Sequence, residues 1–184
     1  MNKQIRTLAA TALGMAAIGY LVGCAASSPP LRLASSVDLD RYAGRWYIVA
    51  NIPYFAERGN VDARFDISFQ PGGKLTDVYT ARSGGFEAPR KSFALTGYVV
   101  PDTGNARWRE SPFWPLYLSY LILYVDPDYR HALVGYPGRE YGWVLSREPA
   151  MDEATYQSLL NRFRDQGYDI GKFQRVPQAP GAAG

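Results

Sequence analysis

The sequence predicts an all-β fold of eight antiparallel strands, arranged as a sandwich or a barrel and followed by one C-terminal α-helix. From residue 45 onward, turn signals recur at short and regular intervals along the chain. These signals are Pro71-Gly72-Gly73, Ser83-Gly84-Gly85, Pro101-Asp102-Thr103-Gly104, Asp126-Pro127-Asp128 and Pro137-Gly138. The segments between them are short and rich in Tyr, Val, Ile, Phe and Trp, which is typical of β-strands.

The predicted strands occupy most of the chain between residues 45 and 147. Their predicted bounds are 45–52, 62–70, 74–81, 92–100, 106–112, 118–126, 130–136 and 141–147. Alternation is clearest in the second strand, where Phe65 and Ile67 share one face while Arg64 and Asp66 share the other. Residues 172–176 predict a short ninth strand.

One amphipathic helix is predicted after the eighth strand. Asp152 is a suitable N-cap, and Gly167 suits the position at which the helix ends. The apolar positions recur at i, i+3, i+4 and i+7, and they are Tyr156, Leu159, Leu160 and Phe163. Because a single helix with one apolar stripe needs a surface to cover, we expect this helix to pack on the outside of the sheet.

Residues 1–23 have the order of a secretory signal, with basic residues in front of an apolar run. Lys3 and Arg6 precede this run, which extends from Leu8 to Gly23. A transmembrane helix is the alternative, but the run is shorter than the roughly 20 apolar residues that a span needs. Residues 1–23 are therefore predicted to be a signal peptide and are left out of the folded domain.

The segment Leu21-Val22-Gly23-Cys24 resembles the lipobox of bacterial lipoproteins. The resemblance implies that cleavage leaves Cys24 as the first residue, with a lipid on its thiol that attaches the protein to a membrane. Ala25 follows instead of Asp, which resembles lipoproteins sorted to the outer membrane, with the domain facing the periplasm. Residues 24–37 are predicted to form this lipidated N-terminus and a flexible linker.

Charge and motif content argue against several classes of function. Two of the 20 Lys and Arg residues lie in the signal segment and none of the 17 Asp and Glu residues does, so the mature chain carries a net charge of +1. This balance gives no basis for binding nucleic acid. His131 is the single histidine, and the sequence has no dinucleotide, P-loop, zinc or calcium motif, so neither a metal nor a cofactor is predicted.

Three carboxylates on the predicted strands could project into a barrel and act as acids or bases: Asp66, Asp77 and Glu110. Pairing of a buried acid with an arginine is the favoured interpretation of these residues. Ser83 lies in a near match to the G-x-S-x-G motif, but the strand-to-helix context of that motif is missing. The chain is therefore predicted not to be an enzyme.

Three blocks of sequence resemble the lipocalin family in their order and spacing. They are Gly44-Arg45-Trp46-Tyr47, Asp128-Tyr129-Arg130-His131-Ala132-Leu133 and Trp143-Val144-Leu145-Ser146-Arg147. Glu57-Arg58-Gly59 further resembles the bacterial outer-membrane lipoprotein lipocalins. The resemblance implies an eight-stranded up-and-down barrel over residues 38–177, with residues 178–184 as a disordered tail.

The resemblance also implies structural roles for single residues. In lipocalins the Trp of the first block lies at the closed end of the barrel and an Arg of the third block packs over it, so Trp46 and Arg147 are expected to form this contact. The linker is then expected to enter the domain beside Trp46, at the closed end. The structural signature comprises Gly44, Trp46, Asp128, Tyr129, Arg130 and Arg147.

If Trp46 marks the closed end, four loops gather at the opposite end, around a barrel with room for one small ligand. Alternation predicts an inward-facing cavity lining of Ile48, Ala50, Phe65, Ile67, Tyr79, Tyr120, Ile122 and Tyr124. The predicted rim comprises Arg58, Arg82, Arg90, Trp114 and Arg139. An apolar cup with a basic rim suits an amphiphile whose tail lies inside and whose anionic head lies outside.

The resemblance implies that this amphiphile is a fatty acid or a lysophospholipid. It also implies that the protein binds, stores or transports such ligands, for maintenance of the cell envelope under stress. The aromatic segment over residues 112–117 is expected to contact a membrane surface or a second copy of the chain, which would make a homodimer.

Two alternative functions stay open at this point. A lipocalin-fold enzyme acting on a hydrophobic substrate would need an inward-facing titratable pair, for which Asp77 and Glu110 are the candidates. A structural envelope protein would instead have a barrel filled by its own rings, those of Tyr79, Tyr120 and Tyr124.

Overall fold

The computed structural model describes residues 29–179 of the chain, so the predicted signal peptide over residues 1–23 and the predicted lipid attachment at Cys24 lie outside the described residues. The strands in this part are β1 Gly44–Ile52, β2 Asn60–Gln70, β3 Lys74–Ser83, β4 Lys91–Val99, β5 Arg107–Phe113, β6 Leu116–Val125, β7 His131–Gly135, β8 Gly142–Ser146 and β9 Gln174–Arg175. Helix α1 spans Leu39–Tyr42 and helix α2 spans Glu153–Arg164. Neither of these helices is long and apolar enough to span a membrane.

Strands β1 to β8 form a closed antiparallel barrel in which each strand pairs with the next along the chain. Strand β1 closes the barrel by pairing with both β2 and β8, with Gly44 opposite Ile67 and Ile48 opposite Leu145. Strand β9 adds to the edge of β1. The predicted eight-stranded up-and-down barrel is therefore confirmed, and no strand end differs from its predicted position by more than two residues.

Helix α1 fills the end of the barrel at which the β2–β3, β4–β5 and β6–β7 loops lie. The Asp38 carboxylate caps this helix by accepting hydrogen bonds from the N–H groups of Asp40 and Arg41. Tyr42, at the end of α1, is fully buried, and its ring centroid lies 5.0 Å from that of Trp46 and 5.3 Å from that of Trp108. This is the closed end, and the other four loops surround the mouth.

Helix α2 packs on the outside of the barrel, as predicted. Its buried residues are Tyr156, Leu159, Leu160 and Phe163, and they share an apolar cluster with outward-facing Val49, Leu133 and Val144. The Asp152 carboxylate accepts a hydrogen bond from the N–H of Thr155 at 2.9 Å, and Gly167 follows the helix with a φ of 81°. The predicted cap and the predicted stop are both confirmed.

Two β-bulges reverse the facing of side chains along β1 and β6. The register of β1 against β8 shifts between Ile48 and Ala50, and that of β6 against β7 shifts between Ile122 and Tyr124. One extra residue inverts the alternation, so Ala50 and Tyr124 pack under α2 instead of inside the barrel. The predicted place of these two residues in the cavity lining is therefore wrong.

Residues 29–37, here called the N-terminal arm, lie along the outside of the barrel from the mouth to the closed end. Leu31, Leu33 and Val37 pack against the two apolar clusters. The hydrogen bonds of the arm join Pro29 O to Arg139 at 2.6 Å, Ala34 N to Ile122 O at 2.9 Å and Val37 N to Gly104 O at 2.8 Å. The predicted flexible linker is therefore wrong for residues 29–37, because these bonds and contacts fix the arm.

The start of the predicted C-terminal tail is also bound to the barrel. The side-chain amide of Gln178 donates hydrogen bonds to the carbonyl oxygens of Ile48 at 2.7 Å and Ala63 at 3.2 Å. The prediction of a disordered tail over residues 178–184 is therefore wrong at its first residue, and residues 180–184 lie outside the described part of the chain.

Candidate functional site

The lower half of the barrel, towards the closed end, is filled by the protein's own side chains. Six of the eight predicted lining residues lie inside the barrel: Ile48, Phe65, Ile67, Tyr79, Tyr120 and Ile122. In the lower half, the rings of Trp108 and Tyr120 stack with centroids 4.5 Å apart, and just above it the centroids of Phe65 and Tyr79 are 5.7 Å apart. A filled barrel therefore describes the lower half of the molecule.

The upper half differs, because two inward-facing apolar side chains there are exposed to solvent. Phe93 pairs with inward-facing Tyr79 across β3 and β4, and Leu118 precedes inward-facing Tyr120 by two residues on β6. Phe93 is 42% exposed and Leu118 is 37% exposed. The sequence-based list missed both residues, although alternation back from Tyr120 would have indicated Leu118.

Asp77 and Glu110 lie inside the barrel at the boundary between the two halves. Asp77 is two residues below Tyr79 on β3, and Glu110 pairs with Leu118 across β5 and β6. Their exposed fractions are 0% and 5%. Both carboxylate oxygens of Asp77 and the Oε1 atom of Glu110 are buried without a hydrogen-bond partner within residues 29–179.

The predicted pairing of buried acids with arginines is wrong for Asp77 and Glu110, and Asp66 pairs with arginines without being buried. The Asp66 carboxylate lies on the outer face of β2, where it forms ion pairs with Arg45 at 2.9 Å and Arg64 at 3.1 Å. Inward projection of Asp66 is thus also wrong, because it lies on the opposite face from Phe65 and Ile67. Of the three predicted carboxylates, only Asp77 and Glu110 lie inside the barrel.

Burial sets the protonation of this interior pair. Loss of hydration raises the pKa of Glu110 to about 8. Burial, reinforced by the charge of Glu110, raises the pKa of Asp77 well above its ordinary value. The hydroxyl groups of Tyr42 and Tyr120 hydrogen-bond to each other at 3.1 Å, and burial raises the pKa of both phenols. Burial therefore favours the neutral forms of these interior groups.

A third buried carboxylate, Glu57, fixes the β1–β2 loop at the mouth. Its Oε1 atom accepts a hydrogen bond from Trp143 Nε1 at 3.0 Å, and its Oε2 atom accepts one from Asn51 Nδ2 at 3.2 Å. Burial raises the pKa of Glu57 to about 7. The loop is therefore held by the side chain of Glu57, whose burial was not predicted from the sequence.

Most of the predicted basic rim is engaged in contacts within the protein. Arg82 and Arg90 both pair with the buried carboxylate of Asp62, at 3.0 and 2.7 Å. Arg139 donates to the carbonyl oxygens of Gln166 and Pro29, each at 2.6 Å. Arg58 is exposed. Arg82, Arg90 and Arg139 thus lie around the mouth, as predicted, but their guanidinium groups already bond to groups of the protein.

The loops around the mouth carry a large exposed aromatic and apolar surface. Phe55 and Trp114 are exposed by 81% and 82%. The same end of the barrel also exposes Phe86, Phe113, Leu116 and Tyr117. We call these six residues the mouth surface, and Trp114 is where the sequence placed it. Apolar side chains exposed together in this way mark a contact surface.

The signature residues form a structural network at the closed end. The guanidinium carbon of Arg147 lies 3.8 Å from the ring centroid of Trp46, as predicted. Arg147 also donates to the carbonyl oxygens of Arg45 at 2.6 Å and Ala43 at 2.9 Å. Gly44 has a φ of 91°, which favours glycine.

The second signature block supports the same end of the barrel. The Tyr129 hydroxyl accepts a hydrogen bond from the N–H of Asp38 at 2.8 Å, and the carbonyl of Arg130 accepts one from the N–H of Arg147 at 2.8 Å. Asp128 is exposed at the β6–β7 turn. These residues lie far from the mouth in the topology, so they stabilise the fold.

His131 lies outside the barrel, where its Nδ1 atom is 2.7 Å from Asp126 Oδ2. The residues from 29 to 179 contain no cluster of three or more His, Cys, Asp or Glu side chains that could hold a metal ion. The interior of the barrel, from the exposed Phe93 and Leu118 down to Asp77 and Glu110, is the candidate functional site.

A closed eight-stranded barrel with an outer helix and an Arg packed over a buried Trp at its closed end defines a lipocalin. Residues 37–178 match the family described as Lipocalin-like domain. The chain therefore belongs to the lipocalin family, whose members are typically binding proteins rather than enzymes.

Two relatives and one solved structure illustrate the resemblance. Temperature-induced lipocalin-1 of Arabidopsis thaliana is 33% identical over 155 residues, which are 81% of this chain and 83% of that protein. The outer membrane lipoprotein Blc of Escherichia coli (strain K12) is 31% identical over 167 residues, covering 88% of this chain and 92% of Blc. Insecticyanin of the tobacco hornworm Manduca sexta shares the fold, with a TM-score of 0.65 and 17% identity over 84% of this chain and 88% of its own.

Proposed function

We propose that this lipocalin binds one single-chain amphiphile, of the fatty acid or lysophospholipid class, in the upper half of its barrel. The observation that carries the proposal is the solvent exposure of Phe93 and Leu118 on the inner wall. Exposed apolar side chains inside a concave site gain free energy when a hydrocarbon chain removes them from water. Storage or transport of such a ligand for envelope maintenance would follow from reversible binding.

The filled lower half limits how deep a ligand can reach. The stacked rings of Trp108 and Tyr120 occupy the interior below Leu118, so an acyl chain would contact Phe93 and Leu118 and stop at the level of Glu110. The ligand would therefore bury only part of a long chain, and the rest would extend through the mouth. This geometry favours an amphiphile with one chain over a lipid with two chains.

Replacing Phe93 by Glu is expected to weaken binding of a lysophospholipid or a fatty acid by about 10-fold or more, because the new carboxylate would be desolvated by the chain. Tyr98 provides a matched control, since it lies on the same strand with similar exposure, 39%, but is directed outwards. Titration of delipidated protein by Trp fluorescence measures both variants. Absence of saturable binding by the wild-type protein, or equal losses for Phe93→Glu and Tyr98→Glu, would contradict the proposed site.

We further propose that Cys24 carries the lipid anchor, on the outer membrane with the domain in the periplasm, and that the anchor directs the mouth towards the membrane. The arm begins at Pro29 beside Arg139 of the β7–β8 loop, at the mouth, and not beside Trp46 as the sequence suggested. Four residues lie between Cys24 and Pro29, and the five residue steps can span at most about 17 Å. The exposed Phe55 and Trp114 lie at this same end, where they suit a bilayer interface better than a homodimer contact.

Replacement of Cys24 by Ser is expected to move the protein from the membrane fraction to the soluble periplasmic fraction, because the thiol that accepts the lipid is lost. Ligand affinity should stay unchanged, since residue 24 precedes the arm. Fractionation of cells followed by intact-mass measurement checks both points, with Ser27→Ala as the control. A Cys24→Ser protein that stays in the membrane without cleavage would instead identify residues 8–23 as a transmembrane anchor.

A further inference from the structure

The carboxyl pair of Asp77 and Glu110 has too few hydrogen-bond partners for its burial. Three of its four oxygen atoms are buried and unpartnered in the part of the chain that the structure describes. A buried polar atom that makes no hydrogen bond costs about 1 to 3 kcal/mol of stability, so native proteins rarely retain several at one place. An unpartnered pair inside a binding barrel therefore indicates a partner that binds from outside the chain.

The pair lies next to the exposed residues of the inner wall, on the side of the closed end. Glu110 is the cross-strand neighbour of the exposed Leu118, and Asp77 is two residues from Tyr79, the neighbour of the exposed Phe93. On the other side of Glu110, the neighbouring residue is Gly97, which contributes no side chain to cover it. The deep end of any ligand held by Phe93 and Leu118 would therefore reach these carboxyl groups.

The surroundings of the pair offer acceptors and hydroxyl groups but little positive charge. Within residues 29–179, no ion pair involves Asp77 or Glu110, and the hydroxyls of Tyr42 and Tyr120 bond to each other. At the closed end, the donors of Arg147 bond to backbone carbonyls. The deep end of the site thus lacks a cation, and a cationic ligand group there would favour the ionised form of the pair.

A hydrocarbon end group would leave this pair desolvated and without partners. An aliphatic ammonium group supplies three N–H donors, has no acceptor of its own, and carries the charge that offsets a carboxylate. An alcohol supplies one donor and no charge. A carboxylate ligand supplies neither a donor nor a cation, so its own charge would be buried without an ion-pair partner.

We propose that the barrel selects a single-chain amphiphile with a primary amine, which enters amine first so that Asp77 and Glu110 hold the ammonium group. This inference rests on the proposed function, because it assumes that the upper half of the barrel binds a single-chain amphiphile. It changes the preferred end group of that amphiphile from an acid to an amine. It reverses the orientation predicted from the sequence, in which the polar head group stays at a basic rim. The contacts of Arg82 and Arg90 with Asp62 agree with that reversal, because both guanidinium groups already bond to a carboxylate of the protein.

The test compares three probes that have the same chain and different end groups: dodecylamine, dodecanol and dodecanoate. Each is titrated below its micelle concentration into delipidated full-length Cys24→Ser protein, with Trp fluorescence as the readout. The amine is expected to bind at least about 10-fold more tightly than the alcohol, and the alcohol more tightly than dodecanoate. In the Asp77→Asn/Glu110→Gln double variant, the amine should lose this advantage while dodecanol binding is retained.

Asp66→Asn is the matched control, because it removes a carboxylate from the outer face of the barrel and should keep the preference for the amine. The two single variants are measured alongside the double variant, and far-UV circular dichroism establishes that each one is folded. The inference would be overturned if the protein with unchanged Asp77 and Glu110 bound dodecylamine and dodecanol equally well. It would also be overturned if the double variant kept the preference for the amine. Failure of all three probes to bind would overturn the proposed function, and this inference with it.

Discussion

Between pH 4.5 and pH 8, the wild-type protein is expected to lose about 4 kcal/mol of unfolding free energy that the Glu110→Gln variant retains. Burial raises the pKa of Glu110 from 4.5 to about 8, so the folded state holds a proton that the unfolded state has released between these values. The wild type therefore has its full stability below pH 4.5 and loses stability as the pH rises through 8. A glutamine cannot ionise, so the variant lacks this loss.

Urea unfolding, followed by Trp fluorescence, gives the unfolding free energy of both proteins at pH 4.5 and at pH 8. The change between the two pH values is then compared between the variant and the wild type. This design removes any constant contribution from burying an amide in place of a carboxyl group. Asp77→Asn is expected to act in the same direction, because burial also raises the pKa of Asp77. Asp66→Asn, on the outer surface, is the control. Parallel pH profiles of stability for Glu110→Gln and the wild type would contradict the prediction, because they would mean that folding does not change the pKa of Glu110.

Replacing Arg147 by Met is expected to lower the free energy of unfolding by about 3 to 5 kcal/mol. The guanidinium group lies over the Trp46 ring and donates to the carbonyl oxygens of Arg41, Arg45 and Ala43. Methionine matches much of the aliphatic length but supplies no donor, so these carbonyl groups would lose charge-assisted hydrogen bonds at the closed end. The loss should also loosen α1, whose last carbonyls depend on this side chain.

Arg147→Lys is the informative comparison, because lysine keeps the charge but cannot reach several carbonyls from one planar group. An intermediate loss is expected for it. Thermal or urea unfolding gives the stability of both variants, and amide hydrogen exchange of residues 39–42 reports on α1. A change below about 1 kcal/mol for Arg147→Met would mean that the network at the closed end contributes little to stability.

Local patterns in the sequence determined the elements of this fold. The turn signals and the strand composition placed eight strands within two residues of their observed ends, because these signals act over a few neighbouring residues. The same holds for α2, where the Asp152 cap and the stripe of Tyr156, Leu159, Leu160 and Phe163 are found as predicted. The Trp46–Arg147 contact was also foreseen, but through the family resemblance.

Strict alternation was not sufficient to define the interior of the barrel. Ala50 and Tyr124 follow bulges in β1 and β6, and a bulge depends on how a strand fits its neighbours, not on its own residues. The same alternation correctly placed Phe65, Tyr79 and Tyr120 inside. The errors therefore lie at the two places where the register shifts.

The partners of charged groups were decided by contacts between distant parts of the chain. Asp62 pairs with Arg82 and Arg90, and Pro29 with Arg139, across separations that no local pattern reports. The sequence by itself determined the class of fold, the order of its elements and the resemblance to lipocalins, because short-range propensity and spacing carry that information. Only the tertiary structure decided which arginines form ion pairs, and that Asp77 and Glu110 are buried together with three oxygen atoms that have no partner within residues 29–179. The physical reason is that ion pairing and burial depend on which strands are brought together when the barrel closes.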